Sequence, residues 1–410
     1  MTYFCRDAII KDILKEGADG MDIKITDDIK YIGVDDTTLD LFESQYVIPD
    51  GVSYNSYLIL DEKIAVIDTV DEYKLKEWEE KLENELNGRK VDYLIIQHLE
   101  PDHAGGIVRM MELFPEITLV GNKKTFLFLA QYIKLKDEWK ILFVSDRDML
   151  DLGKHKLSFF IATMVHWPEV MVTFDATDKV LFSADAFGKF GALSLTEGEE
   201  WADEARRYYF NICGKYGIPV QSLLGKINSL HLKKICPAHG PVLSEPLEEY
   251  INLYDKWSKY EPESKGILIV YGSFHGNTAK AAEYFADMLR EMGEEKVVVV
   301  DLVRSDMAEV VADAFRYDRM VIAAASYDAG VFPEIKDFLY RLQMKNYQKR
   351  KVCIIENGTW SPSAGRVVRE LLEQMKEVEI AEPVVTIYST LKEENLESMR
   401  VLAMDLTETE

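Results

Sequence analysis

Cysteine is scarce in this 410-residue chain, and so is every feature that marks a membrane or secreted protein. Its four cysteines, Cys5, Cys213, Cys236 and Cys353, lie far apart and never form a Cys-x-x-Cys pair. That spacing excludes a cysteine-held metal module such as a zinc ribbon and leaves no disulfide framework. Cys236 precedes His239 by three residues, but a small apolar residue at a buried strand end is the expected role. No apolar run approaches the roughly eighteen residues of a membrane span. The opening residues, Met1-Thr-Tyr-Phe-Cys-Arg-Asp, are broken by charge before a signal-peptide core forms. Positive charge is also in deficit. With 72 acidic against 48 basic residues the net charge is -24, a surface that attracts neither nucleic-acid backbones nor anionic membranes. A cytoplasmic location is expected.

What is present is an ordinary globular composition, 47% hydrophobic and 29% charged, long enough for two or three domains with their own cores. Its densest chemistry lies in Tyr93-Leu-Ile-Ile-Gln-His98-Leu-Glu100-Pro-Asp102-His103, an apolar run that ends in four potential metal ligands. A short apolar run reads as a buried strand, and chemistry collects where such strands end. A period of two in extended chain points His98, Glu100 and Asp102 the same way, with Pro101 stiffening the turn.

Short alternating strands bounded by Asp, Gly and Pro precede this stretch: from Met21, Ile29, Ser56 and Ile64, with an amphipathic helix over Tyr73 to Asn87. A short helix is expected near Asp7 to Glu16. Strands return after Ile133, and three of them end on further ligands: His166 in Val-His-Trp-Pro, Asp185 in Ser-Ala-Asp, and His239 in Pro-Ala-His-Gly. The Gly- and Phe-rich stretch from Ala186 to Gly198 reads as a loop able to cover a site. His155 and His231, flanked by lysine, read as solvated surface residues.

Glu261-Pro-Glu-Ser-Lys265 reads as a polar linker. Beyond it, strands at Gly266 to Gly272, Lys296 to Asp301, Arg319 to Ala325, Lys351 to Glu356 and Val384 to Tyr388 alternate with helices, the pattern of one doubly wound parallel sheet. The expected domains are therefore 1–260 and 266–410. Arg341, Lys345, Lys349 and Arg350 form a basic cluster, read as a solvated face at the end opposite the cofactor edge.

The ligand motif resembles that of the metallo-β-lactamase superfamily, His-x-His-x-Asp-His, with Glu100 in place of the second histidine. That replacement is similar to the flavodiiron branch, and carboxylate ligands suit iron better than zinc. The stretch Gly51-Val-Ser-Tyr-Asn-Ser-Tyr is similar to flavodiiron sequences too. The loop Ser273-Phe-His275-Gly276-Asn277-Thr278 resembles the flavodoxin phosphate loop, set between a strand and a helix N-terminus. Ser326, Tyr327, Asp328 and Gly330 match, by position, one isoalloxazine loop, and Asn357, Gly358, Thr359 and Trp360 match another, with Trp360 placed to stack on the ring.

The resemblance spans about residues 21 to 405. It implies an N-terminal metallo-β-lactamase-like αββα sandwich and a C-terminal flavodoxin-like sheet of order 2-1-3-4-5. It also implies FMN and two iron ions. His98, Glu100 and His166 would hold one iron, Asp102, His103 and His239 the other, and Asp185 would bridge. The implied enzyme is an oxidoreductase that takes electrons from rubredoxin or a reduced deazaflavin coenzyme and reduces O2 to water or NO to N2O. It would work as a head-to-tail homodimer or a dimer of dimers. The alternatives are a dinuclear zinc hydrolase with a fused flavodoxin, and an FMN electron carrier whose metal site is vestigial.

Overall fold

The computed structural model describes residues 23–408. The helix expected near Asp7 to Glu16 and the start of the strand at Met21 lie outside the described residues.

Two six-stranded sheets form the first half. In one, the order runs Ile29–Tyr31, Tyr57–Ile59, Ala65–Ile67, Tyr93–Ile95, Thr118–Gly121, Lys140–Phe143; the last four run parallel. The other runs Met149–Asp151, Lys156–Ile161, Met171–Asp175, Val180–Phe182, Lys234–Cys236, Leu243–Ser244. Their alternating inward residues, among them Ile67, Ile95, Val120, Phe159, Met171 and Phe182, make one dry core between the sheets. Cys236 belongs to that core, and burial pushes its thiol up. Helices such as Leu75–Leu86, which buries Trp78, Leu82 and Leu86 from a charged outer face, cover the sheets. This is the expected αββα sandwich.

The second half is a parallel sheet in the order Val297–Asp301, Ser264–Gly272, Tyr317–Tyr327, Arg350–Asn357. Its fifth position is split between Val378–Ile380 and Val385–Ile387, which pair with opposite ends of the fourth strand. The order is 2-1-3-4-5, as expected.

One expectation fails where the halves meet, that of a solvated basic cluster, and the linker between them is held in place. The polar linker is clamped: Glu263 accepts two hydrogen bonds from the buried Arg206 at 2.6 Å each and one from Trp257 at 2.9 Å. The basic cluster reaches across this seam through Lys345, Lys349 and Arg350, while Arg341 pairs with Asp337 on its own helix. Lys345 donates to the Asn211 carbonyl that ends Trp201–Ile212, and Lys349 to the Lys259 carbonyl that caps Glu248–Ser258. Arg350, fully buried, donates to the carbonyls of Tyr260, Phe315 and Tyr317. Helix C-termini carry unpaired carbonyls and partial negative charge, so cations are their natural caps. Phe210 and Phe315 stack across the same seam, with centroids 4.1 Å apart.

The seam meets the starting ends of the second sheet's strands, while the loops at Ser273, Ser326 and Asn357 follow their far ends. A strand such as Ser264–Gly272, nine residues long, separates the two edges by about 27 Å.

Candidate metal centre and cofactor pocket

His98 and Glu100 leave the strand Tyr93–Ile95 in extended chain, and both face the same point. The alternation stops there. A one-turn helix, Pro101–Ala104, begins with proline at its first position, where the missing N–H costs nothing. It swings Asp102 and His103 to a second point, so Asp102 does not continue the row of His98 and Glu100 as its spacing suggests.

His98, Glu100, His166 and Asp185 form one donor group and Asp102, His103 and His239 another. In the first, Nε2 of His98 lies 3.2 Å from both Glu100 Oε2 and Asp185 Oδ2. Nε2 of His166 lies 3.1 Å and 3.2 Å from the same two oxygens. In the second, Nε2 of His103 is 3.4 Å from Asp102 Oδ2 and that of His239 is 3.3 Å from it. Asp185 joins the groups: its other oxygen, Oδ1, stands 3.2 Å from His103 and 3.7 Å from His239.

These donors fit metal ions. Both oxygens of Asp102, both oxygens of Asp185 and both ring nitrogens of His103 are buried and have no hydrogen-bond partner. Ligands about 2.1 Å from a common ion come to lie roughly 3 Å from each other, as these do. Burial pushes the His103 and His166 imidazoles down, but the neighbouring carboxylates reverse this and hold each at about 9. Asp185 is held well below the usual carboxylate range; burial opposes the shift, but the charge of His98 and the adjacent imidazoles of His103 and His166 prevail.

The other strand-end loops of the second sheet surround a cavity of about 680 Å³, within the range of cofactor sites. Ser273, His275, Asn277 and Thr278 line it from the first loop, Ser326, Tyr327 and Asp328 from the second, and Asn357, Gly358, Thr359 and Trp360 from the third. Gly276 and Gly330 do not line it. Gly276 instead caps the helix Asn277–Glu291 in the left-handed region, with φ 82°, and donates its N–H to Ser273 Oγ. Trp360 belongs to no core; it is 88% exposed.

Residues 52–240 match the ODP family beta lactamase, and residues 268–398 match the Flavodoxin domain. The chain thus joins a beta-lactamase-type domain to a flavodoxin domain, and it resembles the flavodiiron proteins. It is 28% identical over 381 residues to an uncharacterized protein of Methanocaldococcus jannaschii, covering 92% of this chain and 95% of that one. It is 29% identical over 354 residues to the anaerobic nitric oxide reductase flavorubredoxin of Escherichia coli, covering 84% of this chain and 74% of that protein. Its fold matches rubredoxin oxygen:oxidoreductase from Desulfovibrio gigas at a TM-score of 0.87 and 24% identity, covering 93% and 97% of the two chains. The flavodiiron protein from Giardia intestinalis gives 0.84 and 24%, covering 94% and 96%. A flavodoxin domain implies FMN in the cavity, and the flavodiiron resemblance implies a diiron centre at the two donor groups.

The centre also has supports that motif reading missed. Glu169, fully buried, accepts a hydrogen bond from His98 Nδ1 at 2.9 Å and another from the Leu99 N–H at 3.1 Å. The Ser53 carbonyl accepts a hydrogen bond from His239 Nδ1 at 2.7 Å. Asn55 ties the Pro237 and Gly240 carbonyls on either side of that histidine. The only hint of Glu169 in the sequence is an acid placed between Pro168 and the apolar run from Val170. The loop from Ala186 is largely buried against the centre, with Phe190 packed on Phe42 and Tyr208.

His155 is buried rather than solvated, between Asp175 at 3.2 Å and Asp28 at 3.5 Å. Both oxygens of Asp175 already accept backbone N–H groups, from Thr177 and Asp178, so this grouping reads as an ion pair on a turn. His231 is exposed, as expected. Among the described residues no helix is long and apolar enough to cross a membrane.

Proposed function

We propose that this protein passes electrons from FMN to a non-haem diiron site, where O2 is reduced to water or two NO molecules are joined into N2O. The observation that carries this reading is Asp185, which offers one oxygen to each of two separate donor groups. When bound, a reduced flavin and a ferrous pair supply two electrons each, enough for the four that O2 takes or the two that a pair of NO takes.

The chain's own residues hold and shape the site. His98, Glu100 and His166 serve one metal, Asp102, His103 and His239 the other, and Asp185 both. Three carboxylates among seven ligands favour iron over zinc. Glu169 and the Ser53 carbonyl fix two imidazoles with Nε2 toward the metals. Trp167 and Phe42 meet the rings of His98 and His239 edge-on, at 5.2 Å and 5.4 Å, and hold them in place. In the second domain Ser273, His275, Gly276, Asn277 and Thr278 would take the FMN phosphate at a helix N-terminus. Ser326, Tyr327, Asp328, Gly330 and the loop Asn357 to Trp360 would flank the ring. The domains in this reading are 1–260 and 266–410, joined by the stretch that holds Glu263.

The working unit in this reading is a head-to-tail homodimer, alone or paired into a dimer of dimers. The strand length between seam and flavin edge, with the clamp that fixes the seam, keeps each flavin far from the metals of its own chain. Electron transfer falls steeply with distance, and a two-fold arrangement brings each flavin to its partner's metals. The donor is rubredoxin or a reduced deazaflavin coenzyme, and the protein works in the cytoplasm. Anaerobic turnover of NO with each donor, set beside O2 consumption with the same donors, tests the reading. Failure with both gases in protein that holds iron and FMN contradicts it.

A further inference from the structure

A small hairpin, Leu41–Phe42 with Tyr46–Val47, belongs to neither large sheet; its strands pair only with each other, two residues to a side. A two-stranded hairpin holds together poorly in water without outside contacts. This one is set against the metal centre. Phe42, buried, meets the His239 ring edge-on at 5.4 Å, and Phe190 and Tyr208 flank it at 5.4 Å and 6.4 Å. His239 is thus held from two sides, by Phe42 on its ring and by the Ser53 carbonyl at Nδ1.

The other strand, Tyr46–Val47, is held by polar ties. They come from Arg207 and Asn211, one turn apart on the helix Trp201–Ile212 and both buried. Arg207 donates from Nη2 to the Val47 carbonyl, and the Asn211 carbonyl accepts the Tyr46 hydroxyl at 3.1 Å. The Arg207 guanidinium also lies 5.0 Å from the centre of the Phe190 ring, bracing the wall beside Phe42.

Both residues are in turn fixed from the second domain. Asn211 Nδ2 donates to the Ala308 carbonyl at 3.1 Å, and the Asn211 carbonyl accepts Lys345 Nζ. Arg207 Nη2 lies 3.7 Å from Asp306 Oδ1, the oxygen that caps the helix Met307–Arg316 by accepting the Ala308 and Glu309 N–H groups at 2.8 Å and 3.1 Å. A buried charge is costly unless it is paired and hydrogen-bonded. The rigid fork of Arg207 meets that need by joining Glu204, at 3.0 Å, to Val47 and Asp306.

We propose that Arg207 and Asn211 are positioning residues through which the second domain holds the hairpin, and with it Phe42, against His239. The second domain thereby sets one wall of the metal centre in the first. His239 shares its donor group with Asp102 and His103, so a loosened hairpin acts first on that one metal position.

The inference rests on the two-metal reading, and the test tells them apart. Full-length protein loaded with iron and FMN is mixed with a calibrated chelator, and iron release is followed in time. In Arg207→Met and in Tyr46→Phe, one iron per chain should leave about ten-fold faster than in wild type, the low end for outer partners of a ligand. The other iron should keep its wild-type rate, and FMN should stay bound. Asp306→Asn keeps the helix cap and removes the charge facing Arg207; it should speed the same iron. Hydrogen exchange of the amides from Leu41 to Val47 should rise in all three. Tyr46→Phe and Asp306→Asn carry the test even where Arg207→Met does not fold. Unchanged release of both irons in folded variants would overturn the positioning role alone. Equal acceleration of both would overturn it too, in favour of a general loosening of the fold. Wild type that holds no more than one iron per chain at saturation would sink the two-metal reading, and this inference with it.

Discussion

Glu169 Oε1 lies 2.9 Å from His98 Nδ1, both residues fully buried, and the pair joins the two sheets of the sandwich behind the metal centre. A carboxylate there fixes the tautomer of His98, leaving Nε2 bare toward the metal side, and raises the basicity of the ring. Glu169→Ala should weaken metal binding by about ten- to a hundred-fold. Competition with a calibrated chelator measures this. An unchanged metal affinity would mean that the pair is only packing.

Asp185 is the one ligand that both donor groups share. Asp185→Asn should therefore lose metal from both positions and lose reductase activity, while FMN binding stays intact because the flavodoxin sheet has its own core. Metal analysis and flavin absorbance on the same sample check it. Normal metal content with full turnover would remove the bridge.

The candidate ligands that the structure gathers were legible because they sit in one short motif and at strand ends marked by turn residues. Their division between two points was not, since it depends on the helical turn that Pro101 begins. Glu169 escaped notice because one acid among 72 gains meaning only when the second sheet packs behind His98. His155 was misread for a simple reason. Lys154 and Lys156 flank it in sequence, but the turn that leads into the strand Lys156–Ile161 leaves Lys154 exposed and buries the histidine. The parallel sheet followed from its strand and helix pattern, and its strand order from the flavodoxin resemblance. The role of Lys345, Lys349 and Arg350 needed the positions of helix ends in another domain, which no local pattern carries.

His155 makes stability depend on pH. Burial pushes its imidazole down, but hydrogen bonds and charge from Asp175 and Asp28 raise it above its ordinary 6.5. A group whose folded pKa is raised stabilises the fold fully below its unfolded pKa, and that contribution is lost as pH rises through the folded value. The melting temperature of wild type should thus exceed that of His155→Gln most at pH 5.5 to 6, with the gap shrinking toward pH 9. A gap that widens with pH would reverse the assignment.

Electron transfer between chains predicts complementation. One chain carries His98→Ala to disable the metal centre, and the other Gly276→Trp to block the phosphate loop. Each alone should be inactive. Mixed dimers should recover activity, since the intact flavin of the first serves the intact metals of the second. Mixed dimers that form and stay dead, with both variants folded, would exclude transfer across the interface.

The central claim is tested most directly by the metal content of the active fraction. Protein fractionated by its rate of O2 or NO reduction should show activity rising in proportion to iron, toward two irons and one FMN per chain, and falling as zinc replaces iron. Full activity in zinc-loaded, iron-free protein would contradict the account.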